Sequence, residues 1–510
     1  MLLWVAGAGT GTAGAKTRLP ASGLDASSLQ LMSTRTTNIK HRAADTMADS
    51  PLLWSDFARA IKEEDGYLLG STICPEPPAR DPARLYDFKR SINDHSIQTD
   101  LQYKLRYNPD LDLEKTEAIT WIEIFKAYYA FVCKLLQAEE EDNRGNHREA
   151  EWTAVYEAWR EVLNQIYRAY NNSVLEAWTI PCLYVVGKYL RVFAIKADEH
   201  ASSHRDSGLA FGGLQEEDAF NPSAKNEKLE DAARQINRLF SLCLSDRYVS
   251  SPSSLSPERL AEVSTLFSSR SPIEESRKWA LYYIANLLFK TYFRLNSISL
   301  SKNILRSLHA TSVEMPPLSA FPRSHQVTFN YYSGVMAFLQ EDYANAEDLF
   351  TKAYSMCSVK ATENRDLILT YLIPTKLLTS HQLPTQALLK QSPALERLFT
   401  PITHAVRTSD IRAFNTALEH GEDDFVKRRI YLTLERGRDV IIRNILRKVF
   451  IAGGFEAAKE GEPAVRRTRV PISEFAAGLM VAGADVGDGE GGVDVDEVEC
   501  LIANSIYKVS

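Results

Sequence analysis

Two histidines four residues apart, His200 and His204, stand among Asp198, Glu199 and Asp206, the donor types and spacing with which one helix face holds a divalent metal. The intervening H-A-S-S-H lacks the glutamate of the metalloprotease pattern, and the surrounding Ser, Gly and Asp favour a solvated loop over a helix. Near the start, Gly9, Gly11 and Gly14 spell G-x-G-x-x-G ahead of Lys16-Thr17. A phosphate loop needs Gly immediately before its Lys, where Ala15 stands here, and no amphipathic helix follows to offer its N-terminus. The acidic run Asp485 to Glu499 invites a calcium-loop reading, but counting from Asp488 puts Val493 where the turn needs Gly. A flexible loop whose last acids, Asp494 and Asp496, support the start of the next helix fits better. The histidines are dispersed, no G-x-S-x-G or H-E-x-x-H occurs, and the six cysteines (Cys74, Cys133, Cys182, Cys243, Cys357, Cys500) form no C-x-x-C pair. No catalytic site, no metal site and no cofactor is therefore expected, and the scattered thiols suit a reducing compartment, nucleus or cytosol.

The chemistry that does stand out is charge. Lys427, Arg428, Arg429, Arg436, Arg438, Arg443, Arg447 and Lys448 face only two acids, Glu435 and Asp439, across the same stretch. That local excess of six positive charges sits in a chain of formal charge -7, so a nucleic-acid surface, if present, is a patch. Arg443 and Arg447 lie one helical turn apart, placed to meet a phosphate backbone together, and Arg466, Arg467 and Arg469 add a second cluster. Charge alone fits two readings equally: a phosphate-binding face, or a solvated or protein-binding one.

Helices must position these groups. The chain has 510 residues, 45% of them apolar and 25% charged, enough for two or more domains with their own cores. Residues 1 to 50 are rich in Gly, Ala, Ser and Thr without helical period, precede a second Met at 47, and are expected to be disordered or a doubtful gene-model extension. MLLWVAGAG has no basic n-region and is read as neither signal peptide nor anchor, and no apolar run approaches the roughly 18 to 20 residues that span a bilayer. Over 51–311 apolar residues recur at helical spacing, with insertions expected near 198–224 and 248–272. The periodicity predicts helices over Glu114 to Ala138 (Ile119, Ile122, Tyr129, Val132 and Leu136 sharing a face), Trp152 to Tyr170, Leu175 to Ile195 and Asp231 to Leu244. Ser271-Pro272-Ile273-Glu274 reads as a helix start, followed by a stripe of Trp279, Tyr282, Tyr283, Leu287, Leu288 and Tyr292 that reads as helix packing rather than a stacking surface. Between Asn330 and Lys360, the offsets of Gly334, Ala346, Phe350 and Ala353 match the small and aromatic positions of a tetratricopeptide repeat. Three short apolar stripes close the chain: Ile442, Ile445, Leu446, Val449 and Phe450; Ile472, Phe475 and Leu479; and Val495, Val498, Leu501, Ile502 and Ile506. They suit a helix-turn-helix core.

Four runs, NYYSGVMAFLQEDYANAEDLFTKAYSMC, NRDLILTYLIPTKLL, LERGRDVIIRNILRKVFIAGG and VDVDEVECLIANSIY, occur in the order found in PCI-domain proteins. With ESRKWALYYIANLLFKTYFRLNSISLSKNILRSL and AFPRSHQVTF, the chain resembles the COP9 signalosome subunit 12 family, related to the PCI subunits of the nuclear messenger-RNA export complex (transcription and export complex 2). The resemblance covers about Leu229 to Tyr507, and more weakly reaches back to about Leu53. It implies an all-α fold: a TPR-like helical solenoid over 51–311, the TPR-like helical part of the PCI domain over 312–436, and a winged-helix module over 437–510. Relatives continue beyond Tyr507 into a wing hairpin, so the module is expected to be truncated. By resemblance the protein is a non-catalytic scaffold subunit, nuclear with some cytoplasmic population and without a membrane. Its implied partners are another large PCI-domain protein and the small acidic disordered subunit shared with the proteasome lid, with RNA or DNA contacted electrostatically, in transcription-coupled messenger-RNA processing and export. A peripheral place on the COP9 signalosome core, supporting cullin deneddylation, is the alternative within the same class. A hydrolase with an unrecognised site is the alternative from another.

Overall fold

The computed structural model describes residues 52–106, 111, 113–147, 149–208, 226–246, 276–312, 315–455, 466–484 and 495–509. The glycine-rich start, the Ser271 to Glu274 cap, the insertion near 248–272 and the acidic run from Asp485 to Asp494 lie outside the described residues. Every regular element described is helical, and an isolated antiparallel bridge joins Phe455 to Arg466. The described residues form two compact units, one ending at Phe329 and one beginning at Asn330.

The first unit comprises α1 (Leu52–Glu63), α2 (Gly66–Thr72), α3 (Arg84–Arg90), α4 (Ile97–Arg106), α5 (Lys115–Asn143), α6 (Trp152–Asn171), α7 (Pro181–Gly208), α8 (Glu227–Leu244), α9 (Leu281–Arg294) and α10 (Ile298–Ala310). From α5 to α10 each helix packs on its successor, the nearest-neighbour order of a solenoid, while α3 and α4 close against α5 and α2 against α7. Its core is a relay of rings: Trp54 to Phe125 at 5.0 Å, Phe131 to Trp159 at 4.6 Å and Phe131 to Phe193 at 5.3 Å. Buried charge is matched, since Arg84 bonds both Asp56 and Asp81.

Several expectations need correction here. Ile119 is not on the buried face of α5 but 49% exposed, because Ala118, Trp121, Ile122 and Phe125 already fill it. The helix expected to end at Ile195 continues to Gly208, so His200 and His204 are helical rather than in a loop. Neighbouring helices satisfy its polar turn: the Asp198 carboxylate accepts from the backbone N–H of Lys228 (3.0 Å) and Leu229 (2.9 Å), capping α8 from outside, and His200 Nε2 meets the carbonyl of His147. No group of three His, Cys, Asp or Glu able to hold a metal occurs among the described residues. Ala177–Ser203 contains a stretch that is, by length and composition, apolar enough to cross a membrane, contrary to the reading above, but 67% of that stretch is buried inside the unit as core. Trp279 belongs to a 3-10 turn (Arg277–Ala280) capped by Ser276, ahead of α9. As expected, the aromatic stripe packs: Trp279 and Tyr282 lie against Phe321, and Tyr283 against Tyr184. Asp246, just past α8, accepts from Ser276 Oγ (3.0 Å), the Arg277 N–H (2.8 Å) and the Arg277 guanidinium, which also reaches the Tyr170 carbonyl.

α11 (Arg323–Leu339) carries the chain past the division, and the second unit continues with α12 (Tyr343–Met356), α13 (Thr362–Thr379), α14 (Gln386–Leu389), α15 (Pro393–Thr408), α16 (Ile411–His420), α17 (Glu422–Lys427), α18 (Tyr431–Glu435), α19 (Gly437–Ala452), α20 (Ile472–Val481) and α21 (Val495–Val509). The repeat positions behave as their spacing predicts: Ala346, Phe350 and Ala353 are fully buried, and a Cβ on Gly334 would sit 2.8 Å from the Phe350 ring. Only glycine permits that approach. Phe350 in turn stacks on Tyr371 of α13 at 5.8 Å.

Candidate nucleic-acid interface

α19, α20 and α21 pack pairwise into a three-helix core, and α19 also rests on α13, α15 and α16. Burial within this core is uneven. Val440, Ile441, Ile442 and Ile445 of α19, Ala476 and Leu479 of α20, and Val498 of α21 are buried. α20 approaches α19 so closely that a Cβ on Gly478 would lie 2.4 Å from Val449. The outer ends of the expected stripes are not buried: Phe450 is partly exposed, Val495 half exposed, and Ile506 mostly exposed. The stripes were read by helical period alone, which carries on past the point where a neighbour is available to cover them.

The basic residues divide by what they already touch. Arg428 pairs with Asp424 at 2.8 Å, and Asp424 also pairs with Arg397. Burial would raise the Asp424 carboxyl, but hydrogen bonds from Arg428 and Arg397 hold it below its usual value. Arg429 adopts a left-handed φ of 58° in the turn between α17 and α18. Arg436 pairs with Glu341 at 2.8 Å and reaches the Tyr343 hydroxyl. Arg467 pairs with Glu474 at 2.9 Å, and its N–H donates to the Gly454 carbonyl. Lys448 donates from Nζ to the Thr408 carbonyl at 2.7 Å, satisfying the C-terminus of α15, a structural use that charge counting does not reveal.

The remainder are uncommitted. The side chains of Lys427, Arg438, Arg443, Arg447 and Arg469 make no ion pair or hydrogen bond among the described residues. All but the half-buried Arg443 are exposed. Arg443, Arg447 and Phe450 recur at offsets of four and seven and so lie along one stripe of α19. Beyond the end of α19, the Arg466 guanidinium lies 5.6 Å from the Phe450 ring centroid and 5.4 Å from that of Phe455. Phe455 escaped notice in the sequence because it belongs to no periodic stripe. Its signal is a lone aromatic directly after Gly453-Gly454 at a helix end.

No protein-family model matches the chain. Among curated proteins, the Protein CSN12 homolog of Neurospora crassa is 46% identical over 455 residues, 89% of this chain and 92% of that protein. The Protein CSN12 homolog of Schizosaccharomyces pombe is 36% identical over 361 residues, 71% of this chain and 74% of its own length. PCI domain-containing protein 2 of Danio rerio is 27% identical over 357 residues, 70% and 74% of the two chains. With its repeat helices leading into a three-helix module, the chain belongs to the CSN12 family of PCI-domain proteins.

Proposed function

We propose that this PCI scaffold subunit is non-catalytic and contacts RNA or DNA through α19 of its winged helix. It does so while assembling with another large PCI-domain protein and a small acidic subunit, in nuclear, transcription-coupled messenger-RNA processing and export. The observation that carries the reading is the pair Arg443 and Arg447, cations one turn apart with no acid committed to them among the described residues. In a chain of net charge -7, cations left unpaired over an apolar core are best explained by an anionic ligand.

Such binding is electrostatic, so affinity should fall steeply with salt. Replacing Arg443 and Arg447 with Ala removes two phosphate contacts and is expected to flatten the slope of log K against log salt by roughly 1.4 for a single strand. Lys448→Ala serves as the internal contrast, expected to cost up to about 1 kcal/mol of stability by uncapping α15 while leaving the slope unchanged. An unaltered slope in the double arginine variant would falsify the reading. A second reading makes the chain a peripheral COP9 signalosome subunit supporting cullin deneddylation. It is favoured by Arg428, Arg436 and Arg467 being already engaged in ion pairs within the chain, which leaves less positive charge for a phosphate backbone.

A further inference from the structure

We propose that Phe450 and Phe455, bridged by Arg466, form a stacking platform for unpaired bases, so that the winged helix takes single-stranded nucleic acid in preference to duplex. The inference rests on the nucleic-acid reading above and narrows its ligand. Two large rings stand in solvent at this place, Phe450 36% and Phe455 60% exposed, although apolar core lies within the same module. They are held rather than loose. Gly454 turns the chain with φ +70°, its carbonyl accepts from Arg467 N–H at 3.2 Å, and the Phe455 to Arg466 bridge fixes the ring beside the guanidinium.

Arg466 lies within cation–π range of both rings and has no carboxylate partner among the described residues, so its charge is not cancelled. Along α19, Arg443, Arg447 and Phe450 follow at a rise of about 6 Å and then about 4.5 Å, a line of cations leading into the rings. A strand whose phosphates track the arginines would bring its bases to the platform. The ligand needs both a polyanionic backbone and free π-faces, the two features that single strands present together. In a duplex the base faces are covered by their neighbours, leaving the rings nothing to stack on. A purely apolar protein surface would meet Arg443, Arg447 and Arg466 at the rim without compensation.

The test measures binding of the full chain to a labelled single-stranded uridine oligomer and to an RNA duplex of equal length. Phe450→Leu with Phe455→Leu keeps apolar bulk at exposed positions while removing the rings. It is expected to weaken single-strand binding by roughly 5- to 150-fold per lost stacked base and to leave duplex binding and the salt slope unchanged. Phe450→Tyr with Phe455→Tyr should restore wild-type affinity. If the leucine variant binds the single strand as tightly as wild type while the arginine variant still loses salt sensitivity, the platform is wrong and the electrostatic reading stands. If the wild-type chain binds neither probe, both fail. Loss of a co-purifying protein with RNA affinity unchanged would reassign the rings to a protein interface.

Discussion

His325, in the first turn of α11, sits between the rings of Tyr184 (5.7 Å) and Tyr283 (5.1 Å), and its Nδ1 has no hydrogen-bond partner. Burial lowers its pKa from the usual 6.5 to about 4. Between those values the unfolded chain takes up a proton that the folded chain refuses, so this histidine's contribution to stability is intact above about pH 6.5 and is lost as pH falls toward 4. From pH 7 to 5 the loss is about 2 kcal/mol. Urea titrations at the two pH values should show it in wild type and not in His325→Phe, which keeps an aromatic ring without a titrating group. Equal pH sensitivity in both proteins would assign the effect elsewhere. Residue type alone did not disclose this role, because nothing near AFPRSHQVTF marks the ring as enclosed. The same holds for Lys448 and Asp198, whose work is done on helix ends more than 25 residues away in sequence. The one-turn spacing of Arg443 and Arg447 on α19, by contrast, was legible, since the register of two residues on one helix depends on no distant partner.

At the scale of elements, the α11–α12 hairpin shows where spacing is sufficient. The Gly334, Ala346, Phe350 and Ala353 pattern specifies a close helix pair, and the Phe350 ring occupies the space that a side chain at 334 would need. Opposing effects make Gly334→Ala diagnostic. Helix propensity favours alanine by about 1 kcal/mol, whereas forcing a methyl to 2.8 Å from a buried ring costs about 1–3 kcal/mol. Net destabilisation is therefore expected, partly relieved when Phe350→Leu is added, a coupling that a double-mutant cycle on unfolding midpoints would measure. Stabilisation by Gly334→Ala alone would show that the close approach is not required. Element ends were less legible than element existence. α7 overran its expected end by thirteen residues, because Asp198 and His200 are satisfied by α8 and His147, contacts that local polarity cannot foretell.

For the whole molecule, four ordered runs pointed to the PCI-domain class and two more to the family within it, and the all-helical architecture followed. The complex it enters is not written in any one residue. A tagged chain recovered from native cells is expected to bring with it a second PCI-domain protein, a small acidic subunit and RNA-processing factors. Recovery of the COP9 signalosome core in their place would support the signalosome reading instead. Asp246 and its bonds to Ser276 and Arg277 have a consequence for how such a scaffold changes over time. These three residues join the end of α8 to the turn before α9 through side-chain and backbone bonds, a clasp between positions thirty residues apart. The entropy of closing a loop grows only with the logarithm of its length. A clasp of this kind therefore keeps its hold on α8 and on the turn before α9 at little added cost if the number of residues it spans changes.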